Sequence, residues 1–219
     1  MSVLDAIIRV AAKLQERLEA RRMEARWAKL RRMGMGIGRG VRLPSSTYID
    51  TSHCFLITIE DWSFFGPECM ILAHDAQMDE FLDAGRIARV VIRSHSHIGA
   101  RTVILPGVEI GPRTIVGANS VVSRSLPPDT VCAGNPARVL RSLDEYLEWH
   151  RARLKTSPTF DYMSYDLEFL TPERRAELVA AVATSDAYIV GGRSAELRGE
   201  GSMKVTDFGG AKPGDALSD

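Results

Sequence analysis

Taken whole, this chain has no excess of either charge. Its 28 Lys and Arg balance 28 Asp and Glu, so no global field marks it as a nucleic-acid binder. Only three cysteines are present, an odd number with no CxxC spacing. That excludes a disulfide framework and a cysteine-built zinc site, and points to a reducing, cytoplasmic setting. No apolar run approaches the roughly 18 residues that a membrane-spanning helix needs. Charges interrupt the apolar stretch at the start of the chain, so a secretory signal is not expected there.

The neutral balance conceals an uneven distribution. Residues 1–33 carry nine Lys/Arg against four Asp/Glu, whereas residues 139–219 carry ten against fourteen. Residues 3–33 read as one helix, with Leu4, Ile7, Ile8, Ala11, Leu14 and Leu18 as an apolar stripe that Trp27 and Leu30 continue. Gly34, Gly36 and Gly38 end it. Such a stripe needs a partner: its own core, a neighbouring subunit or a membrane surface. The basic face is expected to be solvated rather than bound to nucleic acid.

Beyond this helix, apolar residues return every six positions: Ile92, Ile98, Ile104, Ile110, Val116 and Val122. The fifth places (Ser96, Thr102, Val108, Thr114, Ser120, Leu126) are small or apolar, and Cys69 takes one as core filling. A period of six fits neither a helix nor a single strand. It fits a parallel β-helix, in which each unit is one face and three faces close a coil. Looser units open at Ile37, Leu43 and Ile49, the register slips before Ile59, and a clean coil follows at Ile59, Phe65 and Ile71. Excising residues 77–91 leaves Ile71 and Ile92 in step, so those residues form a thrown-out loop, the kind of segment on which binding work concentrates.

The domains expected are therefore a helix over 1–34, a β-helix over 35–140 with its excursion at 77–91, a helical extension over 141–190 and a disordered tail over 191–219. Ser142-Leu143-Asp144-Glu145 is a capping box opening a helix to about Lys155. Thr171-Pro172 opens another, to about Thr184.

Stacking each unit on the one three units earlier places Phe65-Gly66-Pro67, Ile98-Gly99-Ala100, Val116-Gly117-Ala118 and Gly134-Asn135-Pro136 in one column. Small residues along a corner leave amides open beside a groove suited to a long, thin, amide-bearing ligand such as pantetheine. They equally permit the tight corners that any such coil needs.

The stretch ILPGVEIGPRTIVGANSVVSRSLPPDTVCAGNPARVLR resembles the closing part of the left-handed β-helix hexapeptide acyltransferases, the group of galactoside, maltose and surface-polysaccharide O-acetyltransferases. The likeness is specific over 92–141 and fair over 55–76. It implies a left-handed coil, a homotrimer with sites between subunits, and acetyl-CoA as donor with no metal. It implies that His74 is the catalytic base and that backbone at Gly99, Ala100 and Ala118 holds the thioester end and pantetheine. Ser123 and Arg124 would lie near the nucleotide, with Pro136, Arg138 and Arg141 at the adenine and phosphates. Asp75, next to His74, is a candidate to orient the imidazole, or simply a turn residue.

Two stretches depart from that pattern. The IGDN expected in the repeat reads IRSH at 92–95 and IEDW at 59–62, and STYIDTSHC replaces the Asn-bearing stretch that contacts acceptor. Acceptor recognition therefore does not carry over, although His53 is a candidate for it. His95 and His97, with His74, invite a zinc reading whose spacing does not match related zinc β-helices. The function implied is acetyl transfer to a hydroxyl of a sugar or sugar-containing precursor, a small molecule or glycan. The alternatives are a sugar amine, an antibiotic hydroxyl, or a non-catalytic trimerisation scaffold.

Overall fold

A computed structural model describes residues 3–165 and 170–191; the tail expected to be disordered, past residue 191, lies outside the described residues. The chain divides into two compact units, Met1–Leu143 and Asp144–Asp219.

The first unit is a three-faced parallel coil. The first face stacks Gly36–Ile37, Ile57–Ile59, Val90–Ile92 and Glu109–Ile110; the second stacks Phe64–Phe65, His97–Ile98, Ile115–Val116 and Thr130–Gly134; the third stacks Tyr48–Ile49, Met70–Ile71, Val103–Ile104 and Val121–Val122. The residue that opens each unit points inward, and Ile59, Ile71, Ile92, Ile104, Ile110 and Val122 are fully buried. Alternation along each short strand turns its other residue outward.

The registers locate every irregularity in the repeat. In the central coils each face steps by the regular three units, as in Ile92↔Ile110, Ile98↔Val116 and Ile104↔Val122. Ile59↔Ile92, Phe65↔Ile98 and Ile71↔Ile104 step by the same amount once the excursion is removed, as the sequence requires. The removed residues are not quite 77–91, because Val90 and Val91 already lie in the first face. The excursion is an arm with His74–Asp75 paired antiparallel to Arg86–Ile87 and a helical turn at Asp79–Leu82.

One expected register fails. Val116 pairs with Cys132 and Ile110 with Leu126, so the last coil is two residues short. Leu126 is therefore a unit-opening residue rather than a fifth place. The left-handed backbone of Asp129, three residues further on, repeats that of His95, Arg101, Arg113 and Asn119, each three past an inward residue. The column of small residues consequently ends on Ala133 and Gly134, not on Gly134-Asn135-Pro136. Residues 130–134 fold back antiparallel onto Ala137–Ser142, which closes the coil.

Arginine, histidine and tryptophan at left-handed corners are costly choices, at roughly 1–2 kcal/mol each. The inward fifth places help hold these corners. Ser96, Thr102, Thr114 and Ser120 are fully buried; the hydroxyls of Ser96, Thr102 and Ser120 donate to carbonyls of the turns they underlie, and that of Thr114 donates to Pro127 O at the same corner of the next coil. Buried hydroxyls at these places are thus hydrogen-bonded.

The N-terminal helix spans Val3–Arg32. Leu30 and Trp27 pack against the coil core, while Val10, Leu14 and Leu18 of the same helix are exposed in the single chain. The side chains of Leu4, Ile7 and Ile8 lie outside the described residues. The helix Leu143–Leu154, all but its first residue in the second unit, begins at the capping-box segment. A shorter helix, Pro172–Ala181, is capped by Thr171, whose hydroxyl accepts from the Arg174 amide. Among the described residues, no helix is long and apolar enough to cross a membrane.

Candidate active site

The edge between the third and first faces carries two insertions, one above the other. The pairs Ile37↔Ile59 and Ile49↔Ile71 exceed the three-unit step by four positions, which places four extra residues in the segment after Ile49, ending in the short turn Cys54–Leu56. One coil further on, the arm beginning at His74 leaves from the same edge.

The residue following Ile49 therefore lies beside the residues following Ile71. Asp50 donates its amide to Ile71 O, and its carboxylate, almost wholly buried, accepts from the Ala73 amide at 3.1 Å and the Ser52 amide at 3.2 Å. The third partner is His74: Nδ1 stands 2.5 Å from Asp50 Oδ2. Burial works to raise the Asp50 carboxyl, but the hydrogen bonds from His74 and Ala73 and the nearby imidazoles bring it below its ordinary value. An ionised carboxylate only accepts, so Nδ1 must be the protonated nitrogen of a neutral His74. Nε2 then carries the lone pair. The His53 ring lies alongside, its centroid 4.9 Å from that of His74.

Asp75 does not meet the imidazole. Its Oδ1 accepts from the Gln77 amide at 3.0 Å, holding the first turn of the arm. The orienting role expected of Asp75 belongs geometrically to Asp50, one full coil upstream. Nothing local flagged Asp50; the signal was the slip between Ile49 and Ile59, which, once measured as four residues, puts Asp50 in line with Leu72.

The other expected residues occupy different edges. Gly66, Gly99 and Gly117 stack at the edge between the second and third faces. A Cβ at Gly66 would lie 2.5 Å from the Ala100 amide nitrogen, and one at Gly99 would crowd that of Ala118 in the same way. Glycine is thus required beneath each alanine. From inside, Cys69, Thr102 and Ser120 donate to the Gly66, Gly99 and Gly117 carbonyls. Among the described residues, no backbone carbonyl accepts from the Ala100 or Ala118 N–H. Arg138 pairs with Ala133, the residue against which Gly117 packs, so it stands at the end of this column; Pro136 and Arg141 lie on the same returning hairpin, exposed.

Ser123 and Arg124 follow the third face, on the edge of His74. In one chain the structure thus gathers Gly99, Ala100, Ala118 and Arg138 on one edge and His74, Ser123 and Arg124 on another, with the third face between them. His95 and His97 join neither group. His95 holds a left-handed corner and His97 stacks on Phe64, its basicity lowered by burial and by His95. The described cluster that fits a metal ion is Asp50, His53 and His74.

Fold and site together define a hexapeptide-repeat parallel β-helix. Residues 89–124 match the family model of the bacterial transferase hexapeptide (six repeats). The chain is 36% identical over 101 residues to the Bacillus subtilis (strain 168) protein named "Putative acetyltransferase YvoF", covering 46% of this chain and 54% of that one. It is 41% identical over 56 residues to the galactoside O-acetyltransferase of Escherichia coli (strain K12), covering 26% and 28%. The chain thus spans about half the length of the first of these relatives and less of the second. Among solved structures, a Vibrio cholerae hexapeptide-repeat acetyltransferase complexed with acetyl coenzyme A superposes with a TM-score of 0.46 at 26% identity, covering 55% of this chain and 78% of that one. The resemblance read from residues 92–141 agrees with the family model and with the two sequence matches.

Proposed function

We propose that this protein is an acetyltransferase that moves an acetyl group from acetyl-CoA to a hydroxyl of a sugar or sugar-containing acceptor, as a homotrimer of left-handed coils. The observation that carries the reading is the Asp50–His74 pair, a buried carboxylate that fixes one tautomer of an imidazole whose other nitrogen is left to act as a base.

The chemistry follows from that tautomer. His74 Nε2 takes the proton of the acceptor hydroxyl as its oxygen attacks the thioester carbonyl carbon. Asp50 stabilises the imidazolium that forms, while the unpaired amide of Ala100 on a neighbouring chain donates to the oxyanion. Collapse breaks the carbon–sulfur bond, and the imidazolium returns the proton to the departing thiolate. Transfer is direct, because burial pushes the thiols of Cys54, Cys69 and Cys132 up and leaves no thiolate nucleophile.

The trimer is supported by the outward residues of the third face. Tyr48, Met70, Val103 and Val121 stack in register, an apolar column with Tyr48 and Met70 exposed in the single chain. Burying a side chain of this size gains roughly 1.5–3 kcal/mol. Around a threefold axis lined by this face, the His74 edge of each chain abuts the Ala100–Ala118 edge of the next. Arg138 and Arg124 then approach one donor from two chains, cations suited to its phosphates.

The test is subunit mixing. Ala118→Trp fills the groove from outside the packed core, so it is expected to abolish coenzyme A binding, measured calorimetrically, with the trimer intact. His74→Ala is expected to bind donor without turnover. Mixed trimers hold some interfaces with both halves sound, so activity on a panel of sugars and amino sugars should return in part. No recovery, or an active monomer by light scattering, overturns the shared site; transfer to amino sugars alone would move the acceptor from hydroxyl to amine.

A further inference from the structure

We propose that Asp50, His53 and His74 form a binding site for a borderline-soft divalent cation of the zinc class, and that filling it switches off the base. The inference rests on the acetyl-transfer reading only for its second half.

The ligand atoms of the three residues all lie within 4.8 Å of one another. His53 Nδ1 is buried and has no hydrogen-bond partner, an exception among buried polar atoms that calls for an explanation. It stands 3.9 Å from Asp50 Oδ2, the oxygen that His74 Nδ1 meets at 2.5 Å. Zinc bonds of roughly 2.0–2.1 Å hold ligands about 3.3 Å apart in a tetrahedron. The two observed spacings straddle that value, so the site closes on a cation by opening one contact and tightening the other. Two imidazoles and a carboxylate favour Zn²⁺, Co²⁺, Ni²⁺ or Cu²⁺ over Mg²⁺ and Ca²⁺. His53 and Asp50 ride on the insertion after Ile49, and His74 starts the arm. Both segments interrupt the repeat at one edge, so the cluster can adjust without disturbing the coil.

The consequence for catalysis is a tautomer exchange. A cation on Nδ1 of His74 displaces the proton there, and the neutral ring carries its one proton on Nε2 instead. That nitrogen then has no lone pair for the acceptor hydroxyl. His53 is the third ligand that holds the cation there.

The experiment titrates the full chain with Co²⁺ and follows its visible d–d absorption, which reports tetrahedral coordination independently of turnover. One Co²⁺ per chain is expected, displaced by Zn²⁺ and unaffected by millimolar Mg²⁺. His53→Gln and His53→Asn are expected to weaken binding by at least the roughly 10–100-fold that loss of a metal site's outer partners costs. The same variants should lose inhibition by Zn²⁺, read for each as its own turnover with the ion over its turnover without it. A wild-type chain that takes up no Co²⁺, or His53 variants that bind it equally well, overturns the site. Tight Co²⁺ binding by a chain without acetyl transfer would leave the site standing and refute the function instead.

Discussion

His74→Ala is expected to lower turnover by roughly 10²–10⁴-fold, the usual contribution of a positioned general base. Donor affinity should stay near the wild-type value, because in the proposed reaction His74 meets the acceptor hydroxyl and not the pantetheine or phosphates of the donor. Steady-state kinetics on a verified acceptor, with coenzyme A binding measured in parallel, separates the two. A variant that keeps near-normal turnover removes His74 from the chemistry. The substitution should leave the fold intact, since the ring is partly exposed and the inward residues Ile71 and Ala73 carry the packing at that edge.

Asp50→Asn is expected to have an effect of the same order, roughly 10²–10⁴-fold on turnover, although Asp50 touches no substrate. The amide keeps the shape of the carboxylate but can donate to Nδ1. The imidazole proton then shifts to Nε2, and the positive ring formed in the reaction loses its counter-charge. A structural role alone would lower the melting temperature; the positioning role also removes the downfield Nδ1–H proton signal of His74. A second signature is the pH dependence of stability. The carboxyl of Asp50 is held below its ordinary value in the folded chain, so its contribution is complete above the ordinary aspartate range and is lost as pH falls through the lowered value. The wild type should therefore lose stability on that acid limb, and Asp50→Asn should lack this part of the loss. Coincident acid limbs for the two proteins would refute the assignment.

Local pattern carried far in the coil and stopped at its irregularities. The inward residues from Ile92 to Val122 were readable because each packs the same way in every turn, so a single period describes them. The excursion was readable as a gap that preserves phase. The shortening before Leu126 was not, because Leu suits an inward opening place and a fifth place equally well. Only the pairing of Ile110 with Leu126 separates those two positions. That two-residue shortening moves the end of the small-residue column from Pro136 to Gly134.

The active-site reading divides in the same manner. His74 stands out in the sequence through a resemblance, and Asp75 is its candidate partner only as its neighbour in the chain. In a strand-like segment neighbouring side chains point to opposite sides, so adjacency argues against such a pair. Asp50 reaches the imidazole because successive coils stack about 4.8 Å apart, which makes residues one turn away closer partners than residues one position away.

By itself the sequence determined the parallel coil, its inward residues, the place of the arm and the small-residue edge, since all of these repeat and repetition is a local signal. The partners of His74 and the end of the small-residue column were decided by tertiary structure alone. Each depends on how many residues each turn contains, and the stacking of whole turns sets that number.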